Sequence, residues 1–196
     1  MLGTGGGKLI VITGPMFAGK TTRLIEELKR EARGRKVILF KSQMDNRKSA
    51  TDVVTHDGLS MPAQILPNGE ECARVLRQAA SEYEVIGIDE GQFWKASPRF
   101  SETLEEMVSK HSKTVYVALL NRRADGKPFD VSMKLLPLAD TVNSLKASCS
   151  KCGGPATMTQ RLVNGVEAFG EEFVVGGSEK YEARCREHFV KVGNED

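Results

Sequence analysis

One stretch, Gly14-Pro15-Met16-Phe17-Ala18-Gly19-Lys20-Thr21, constrains this chain more than any other. Its GxxxxGKT spacing is that of a loop whose backbone N–H groups cradle phosphate oxygens. The pattern carries meaning only between a strand and a helix, and its flanks supply both. Residues 8–13 form an apolar run suited to a strand buried on both faces. Residues 22–33 set Leu24, Ile25 and Leu28 on one helical face. Gly14 and Gly19 let the backbone approach a phosphate closely in conformations closed to other residues. The helix N-terminus adds partial positive charge. Lys20 is expected to reach the outer phosphates, and the Thr21 hydroxyl to ligate Mg²⁺. The bland alternative, a glycine-rich turn with a surface lysine, is disfavoured by these flanks.

Residues 36–41 read as a second buried strand, so the first helix completes a βαβ unit and the sheet is parallel here. Residues 42–67 are polar and are expected to be an irregular, functional loop. Residues 69–82 carry Cys72, Val75, Leu76 and Ala79 at helical spacing, with Cys72 a small buried apolar residue. Residues 85–90 read as a buried strand ending in Asp89 and Glu90. In open α/β sheets the carboxyl edge of the strands is where ligands bind. Asp89 is then expected to hold Mg²⁺, which frees Glu90 to act as a base. Two acids at an ordinary helix start are the alternative, and the phosphate loop upstream tips the balance.

Phe93 and Trp94 follow, either as core aromatics or as a wall of an organic-substrate pocket in which the Gln92 amide pairs with a polar ring edge. A helix over 99–110, a buried strand over 114–120, a charged loop over 121–128, a short helix including Met133, Leu135 and Leu136, and a strand over 141–146 complete this part.

From residue 144 the character changes. Cys149 and Cys152 stand two residues apart on a glycine-terminated turn, and Cys185 and His188 repeat the spacing. Three sulfurs and one imidazole form a closed tetrahedral set suited to structural zinc. Short strands are expected over 158–162 and 172–175, with the intervening chain tied at both ends by the metal and placed to close over a ligand. The net charge of +2 gives no electrostatic case for nucleic-acid binding. No apolar run approaches the ~18–20 residues that span a bilayer, so no membrane partner is expected. Residues 1–7 lack an apolar signal core and read as a disordered leader, which points to the cytoplasm.

In their order and spacing GPMFAGKTT, DEGQFW, CSKC, VVGGSEKY and CREH resemble the zinc-containing (type II) thymidine kinase family, over residues 8–190. The resemblance implies a RecA-like P-loop α/β domain with a mainly parallel sheet over 8–143, and a small zinc-ribbon domain bearing a lasso loop over 144–196. It implies transfer of the ATP γ-phosphoryl group to the 5′-hydroxyl of thymidine with Mg²⁺, a homotetramer, and feedback inhibition by dTTP. By position, Glu90 matches the general base, Asp89 the metal-binding acid and Arg47 a phosphate-side arginine. The nucleotide contacts run through Gly14, Pro15, Met16, Phe17, Ala18, Gly19, Lys20, Thr21 and Thr22, and Gln92 is counted with them. Met16 and Thr159 match residues near the thymine methyl, while Phe93, Leu120, Phe129 and Tyr181 match other nucleoside-pocket positions. The lasso, with Phe173, Val174, Val175, Gly176 and Gly177, holds thymine through its backbone in that family.

This chain departs from the family at Ala124, where a substrate-side aromatic is usual, at Asp125, where a basic or polar residue is common, and at Lys48, where a tyrosine is frequent. Loss of the aromatic removes about 1–3 kcal/mol of apolar contact unless Phe17, Trp94 or Phe129 fills the gap. A pyrimidine deoxynucleoside kinase relaxed toward deoxyuridine is therefore the enzymatic alternative. A non-enzymatic nucleotide-binding zinc module is the other.

Overall fold

A computed structural model describes residues 6–42, 52–55, 58–97, 99–168 and 176–191. The chain enters at β1 (Lys8–Gly14), turns through the glycine loop and continues as α1 (Lys20–Glu31). The helix starts inside the GKT run, two residues before the expected 22, with Gly19 at its N-cap in a left-handed conformation (φ 75°) that glycine adopts without strain. β2 (Val37–Ser42) follows, then the short antiparallel pair β3 (Asp52–Val54) and β4 (Ser60–Pro62), and β5 (Gln64–Leu66). The segment expected to be irregular thus contains three strands, and β5 extends the main sheet beside β2. α2 (Glu70–Glu82), β6 (Val85–Ile88), a 3₁₀ segment over Gly91–Ala96 kinked at Trp94 and α3 (Phe100–Ser109) come next. β7 (Thr114–Leu120), α4 (Asp130–Leu138) and β8 (Thr141–Ser144) close the large layer.

The sheet runs β5-β2-β6-β7-β1-β8, and every pairing in it is parallel. A parallel sheet needs both faces covered, which explains the unbroken apolar strands. On one face Leu24, Ile25 and Leu28 of α1 pack on Ile10, Ile12, Leu39 and Tyr116. On the other, α2, α3 and α4 bring Leu76, Leu104, Met107 and Leu135 against Leu9, Val11, Phe40 and Val115. Cys72 is fully buried in that layer, and burial pushes its thiol up to about 11.

The remaining strands build a small module that carries Cys149, Cys152, Cys185 and His188. β9 (Ala147–Ser148) and β10 (Pro155–Ala156) form a hairpin whose turn carries Cys149 and Cys152. β11 (Met158–Val163) is flanked by β12 (Val166–Glu167) and β13 (Tyr181–Arg184), and β13 runs directly into Cys185. The strand expected over 172–175 lies outside the described residues. Ala18 of the glycine loop packs with Cys185 against Ala147, Cys149, Ala156 and Ala183. The module therefore buttresses the phosphate loop directly. Among the described residues no helix is long and apolar enough to cross a membrane.

Candidate active site

Parallel register brings the strand ends into one line. Gly14 pairs with Leu120 across β1 and β7, and Ile88 pairs with Val117 across β6 and β7. The chain leaves β1 as the glycine loop and β6 as Asp89-Glu90, so both motifs emerge on the carboxyl edge of the sheet. Glycine is required at position 14. Its φ is 152°, and a Cβ there would lie 2.5 Å from the Leu145 carbonyl oxygen.

The loop is held from three sides. The Lys20 Nζ donates to the Pro15 carbonyl at 2.7 Å. The Met16 N–H donates to the Thr159 hydroxyl at 3.0 Å, a contact between the loop and β11. The Leu145 N–H donates to the Thr13 carbonyl at 2.7 Å. The Thr21 hydroxyl donates to both carboxylate oxygens of Asp89, at 3.2 and 3.1 Å. Asp89 is 2% exposed. A hydroxyl and a buried carboxylate this close are hard oxygen donors of the kind Mg²⁺ takes, usually together with phosphates and water.

Glu90 adopts φ 55°, ψ 45°, a left-handed conformation that costs a non-glycine residue about 1–3 kcal/mol. That turn separates two adjacent carboxylates. Asp89 faces Thr21, whereas Glu90 accepts a short hydrogen bond from the Gln92 amide nitrogen. Gly91 accommodates the turn, since a Cβ there would meet Val117 Cγ1 at 2.6 Å. Gln92 is 3% exposed, and its carbonyl oxygen accepts from the Leu120 N–H at 3.0 Å. Its amide is thus turned toward protein groups at both ends.

Leu120, Phe129, Thr159 and Tyr181 are buried, and Phe93 is partly so. Trp94 is fully buried, donates its indole N–H to the Pro67 carbonyl at 3.2 Å and stacks on Phe100 with centroids 5.5 Å apart. It is a core residue and does not replace an aromatic at 124. Ala124 lies partly buried in a tight turn. There the Arg123 N–H donates to the Lys127 carbonyl at 2.8 Å and the Arg123 guanidinium pairs with Asp125 at 2.8 Å. Phe17 is 41% exposed with φ 64°. Arg47, Phe173, Val174 and Val175 lie outside the described residues. Gly176 and Gly177 precede the turn into β13 and are partly exposed.

Ser132 was not among the expected site residues. It is fully buried and donates to the Leu120 carbonyl at 2.6 Å. Its only signal in the sequence is a serine beside Val131 on the inward face of a short helix.

The donor atoms of Cys149, Cys152, Cys185 and His188 all lie within 4.8 Å of one another. Cys152 Sγ is 3.9 Å from Cys185 Sγ, and His188 Nδ1 is 3.1 and 3.9 Å from Cys185 and Cys149 Sγ. A tetrahedral ion ~2.3 Å from sulfur separates two such ligands by roughly 3.8 Å, so the donor set fits zinc. The four cysteines form no disulfide. Burial raises the Cys149 thiol, but backbone N–H groups of Cys185, Lys151 and Cys152 outweigh it and bring it down to about 6. A thiolate there is ready for a cation.

Comparison with known proteins agrees with this geometry. A family model described as thymidine kinase matches residues 7–189. A thymidine kinase of Pyrobaculum aerophilum is 41% identical over 185 residues, covering 93% of this chain and 98% of the relative. A thymidine kinase of Thermococcus kodakarensis is 45% identical over 192 residues, covering 94% of this chain and 95% of the relative.

Proposed function

The chain belongs to the thymidine kinase family, and on that premise we propose that it transfers the γ-phosphoryl group of ATP to the 5′-hydroxyl of thymidine, giving dTMP and ADP. The observation that carries the reading is the bond between Thr21 and Asp89, residues 68 apart in sequence, with Glu90 turned to a separate task beside them. Phosphoryl transfer asks a protein for positioning and charge neutralisation more than for covalent chemistry. The glycine loop from Gly14 to Thr22 cradles the phosphates, with Lys20 at the outer ones. Thr21 and Asp89 would hold Mg²⁺, which supplies further neutralisation of the phosphates when bound. Glu90 accepts the proton of the attacking hydroxyl, a role worth ~10²–10⁴-fold.

The nucleoside sits among Met16, Phe93, Leu120, Phe129, Thr159 and Tyr181, with Gly176 and Gly177 at its rim. Arg47 on the phosphates and Phe173, Val174 and Val175 over the base belong to the same proposal. So do zinc as a structural ion at Cys149, Cys152, Cys185 and His188, cytoplasmic residence, a homotetramer and inhibition by dTTP. Supporting the pocket assignment is the Met16–Thr159 bond, which joins the phosphate loop to the module bearing Tyr181. Alanine at 124, where the family usually carries a substrate-side aromatic, supports a second reading in which deoxyuridine is also accepted.

Purified protein with thymidine and MgATP should form dTMP, and Glu90→Gln should lower kcat by about 10²-fold or more. No dTMP from the parent, or equal rates from both, would overturn the proposal.

A further inference from the structure

Building on that function, we propose that Gln92 is a positioning residue, its amide holding the Glu90 carboxylate and tying it to the end of β7, where the nucleoside pocket begins. The orientation of a glutamine amide is normally ambiguous, because its oxygen and nitrogen are alike in shape. Here it is determined. The Leu120 N–H can only donate, so the atom facing it at 3.0 Å is the Gln92 oxygen. The Gln92 nitrogen must then face Glu90, to which it donates.

Leu120 is itself fixed. Its N–H is held by Gln92 and its carbonyl by the fully buried Ser132 hydroxyl at 2.6 Å. The result is a continuous path of hydrogen bonds from α4 through the end of β7 to the carboxylate of Glu90. An amide does both with separate atoms, its oxygen accepting from the peptide N–H while its nitrogen donates to the carboxylate. Glutamate at 92 would keep the acceptor for Leu120 but set a second carboxylate against Glu90.

The arrangement also explains a strained residue. Glu90 is left-handed without being glycine, a conformation that persists only where the surrounding structure holds it. The bond from Gln92, two residues on, holds the carboxylate in place. Gln92, counted from the family pattern among nucleotide contacts, acts on this view through Glu90 and not on ATP.

Four proteins test this: the parent, Gln92→Glu, Glu90→Gln and the double variant, each assayed for kcat and for both KM values. Misplacing a reacting group by about an ångström costs on the order of 10²-fold, so Gln92→Glu should lower kcat by about that factor. Its KM for MgATP should stay near the parent's. On the Glu90→Gln background, Gln92→Glu should add no further loss, because the group it positions is gone. A raised KM for MgATP with unchanged kcat would make Gln92 a nucleotide contact and overturn the inference. So would the same fold-loss on both backgrounds, which is the mark of a structural role. If the buried charge of Gln92→Glu prevents folding, Gln92→Met on both backgrounds supplies the comparison without adding charge, its loss of the Leu120 acceptor being common to both and cancelling between them. A parent that makes no dTMP refutes the proposed function and this inference with it. An active parent with an unaffected Gln92→Glu refutes the inference alone.

Discussion

Replacing Arg184 by methionine removes a buried cation from the centre of the Cys/His module while keeping an apolar stem of similar reach. Arg184 is 2% exposed and leads directly into Cys185, one of the four candidate metal ligands. Its Nη1 donates to the His188 carbonyl at 3.0 Å, and its Nε and Nη2 reach Glu182 at 2.8 and 2.6 Å. Nη2 also reaches Glu167, at the end of β12, at 3.2 Å. One guanidinium thus joins the second ligand pair to two strands of the module. Hydrogen bonds to charged groups are worth about 1.5–3 kcal/mol each, and removing one partner of a buried pair costs about 3–5 kcal/mol. The two glutamates keep 30% and 29% of their side-chain surface in water and recover part of that by hydration. The lower end, about 3 kcal/mol, is therefore expected. For a chain of this size that lowers Tm by about 6–12 °C.

The pH dependence follows with a definite sign. The Ser150 hydroxyl and Arg184 hold Glu182 below its ordinary value of 4.5, and its own backbone N–H and Arg184 do the same for Glu167. A depressed carboxylate contributes stability that is present above its unfolded value and lost as pH falls. Below about pH 4.5 the parent should lose stability more steeply than Arg184→Met. Thermal unfolding followed against pH, with zinc release to a chromophoric chelator, reads both effects. An unchanged Tm together with unchanged release would refute the reasoning.

Gly14→Ala should weaken MgATP binding about 10- to 100-fold by calorimetry, the equivalent of roughly 1–3 kcal/mol of backbone strain. The added Cβ would meet the Leu145 carbonyl oxygen at 2.5 Å, and Leu145 is itself tied to Thr13. Unchanged affinity would show that the loop does not bind in this conformation. Metal analysis should find about one equivalent of zinc per chain, and Cys152→Ser should lose it and loosen the module, since structural zinc contributes folding energy outright. A full equivalent retained in that variant would refute the ligand set.

What could be read from the residues alone was what chemistry ties to spacing. The glycine loop, the Asp89-Glu90 pair and the paired ligand motifs need particular residue types a few positions apart, so the pattern survives without the fold. The parallel α/β sheet was legible for a related reason: strands buried on both faces are unbroken apolar runs, as in residues 9–12 and 115–119. Contacts made across the chain were not legible. β5 is three residues long and earns its place only beside β2, with Leu66 its one buried side chain. Gln92 reads as a pocket amide until β7 brings the Leu120 N–H to its oxygen. Arg184 and Lys41 are charged side chains buried to 2% and 3% exposure, which no hydropathy pattern anticipates. The packing of Ala18 against the Cys/His module is likewise invisible before both are folded.

The central claim is that this site phosphorylates thymidine. Its most direct test is a panel of thymidine, deoxyuridine, deoxycytidine and a purine deoxynucleoside, each supplied with γ-labelled ATP and Mg²⁺ and compared by kcat/KM. Labelled dTMP is expected as the leading product, with deoxyuridine the nearest competitor. A panel in which no pyrimidine deoxynucleoside becomes labelled, or in which a purine leads, would contradict it.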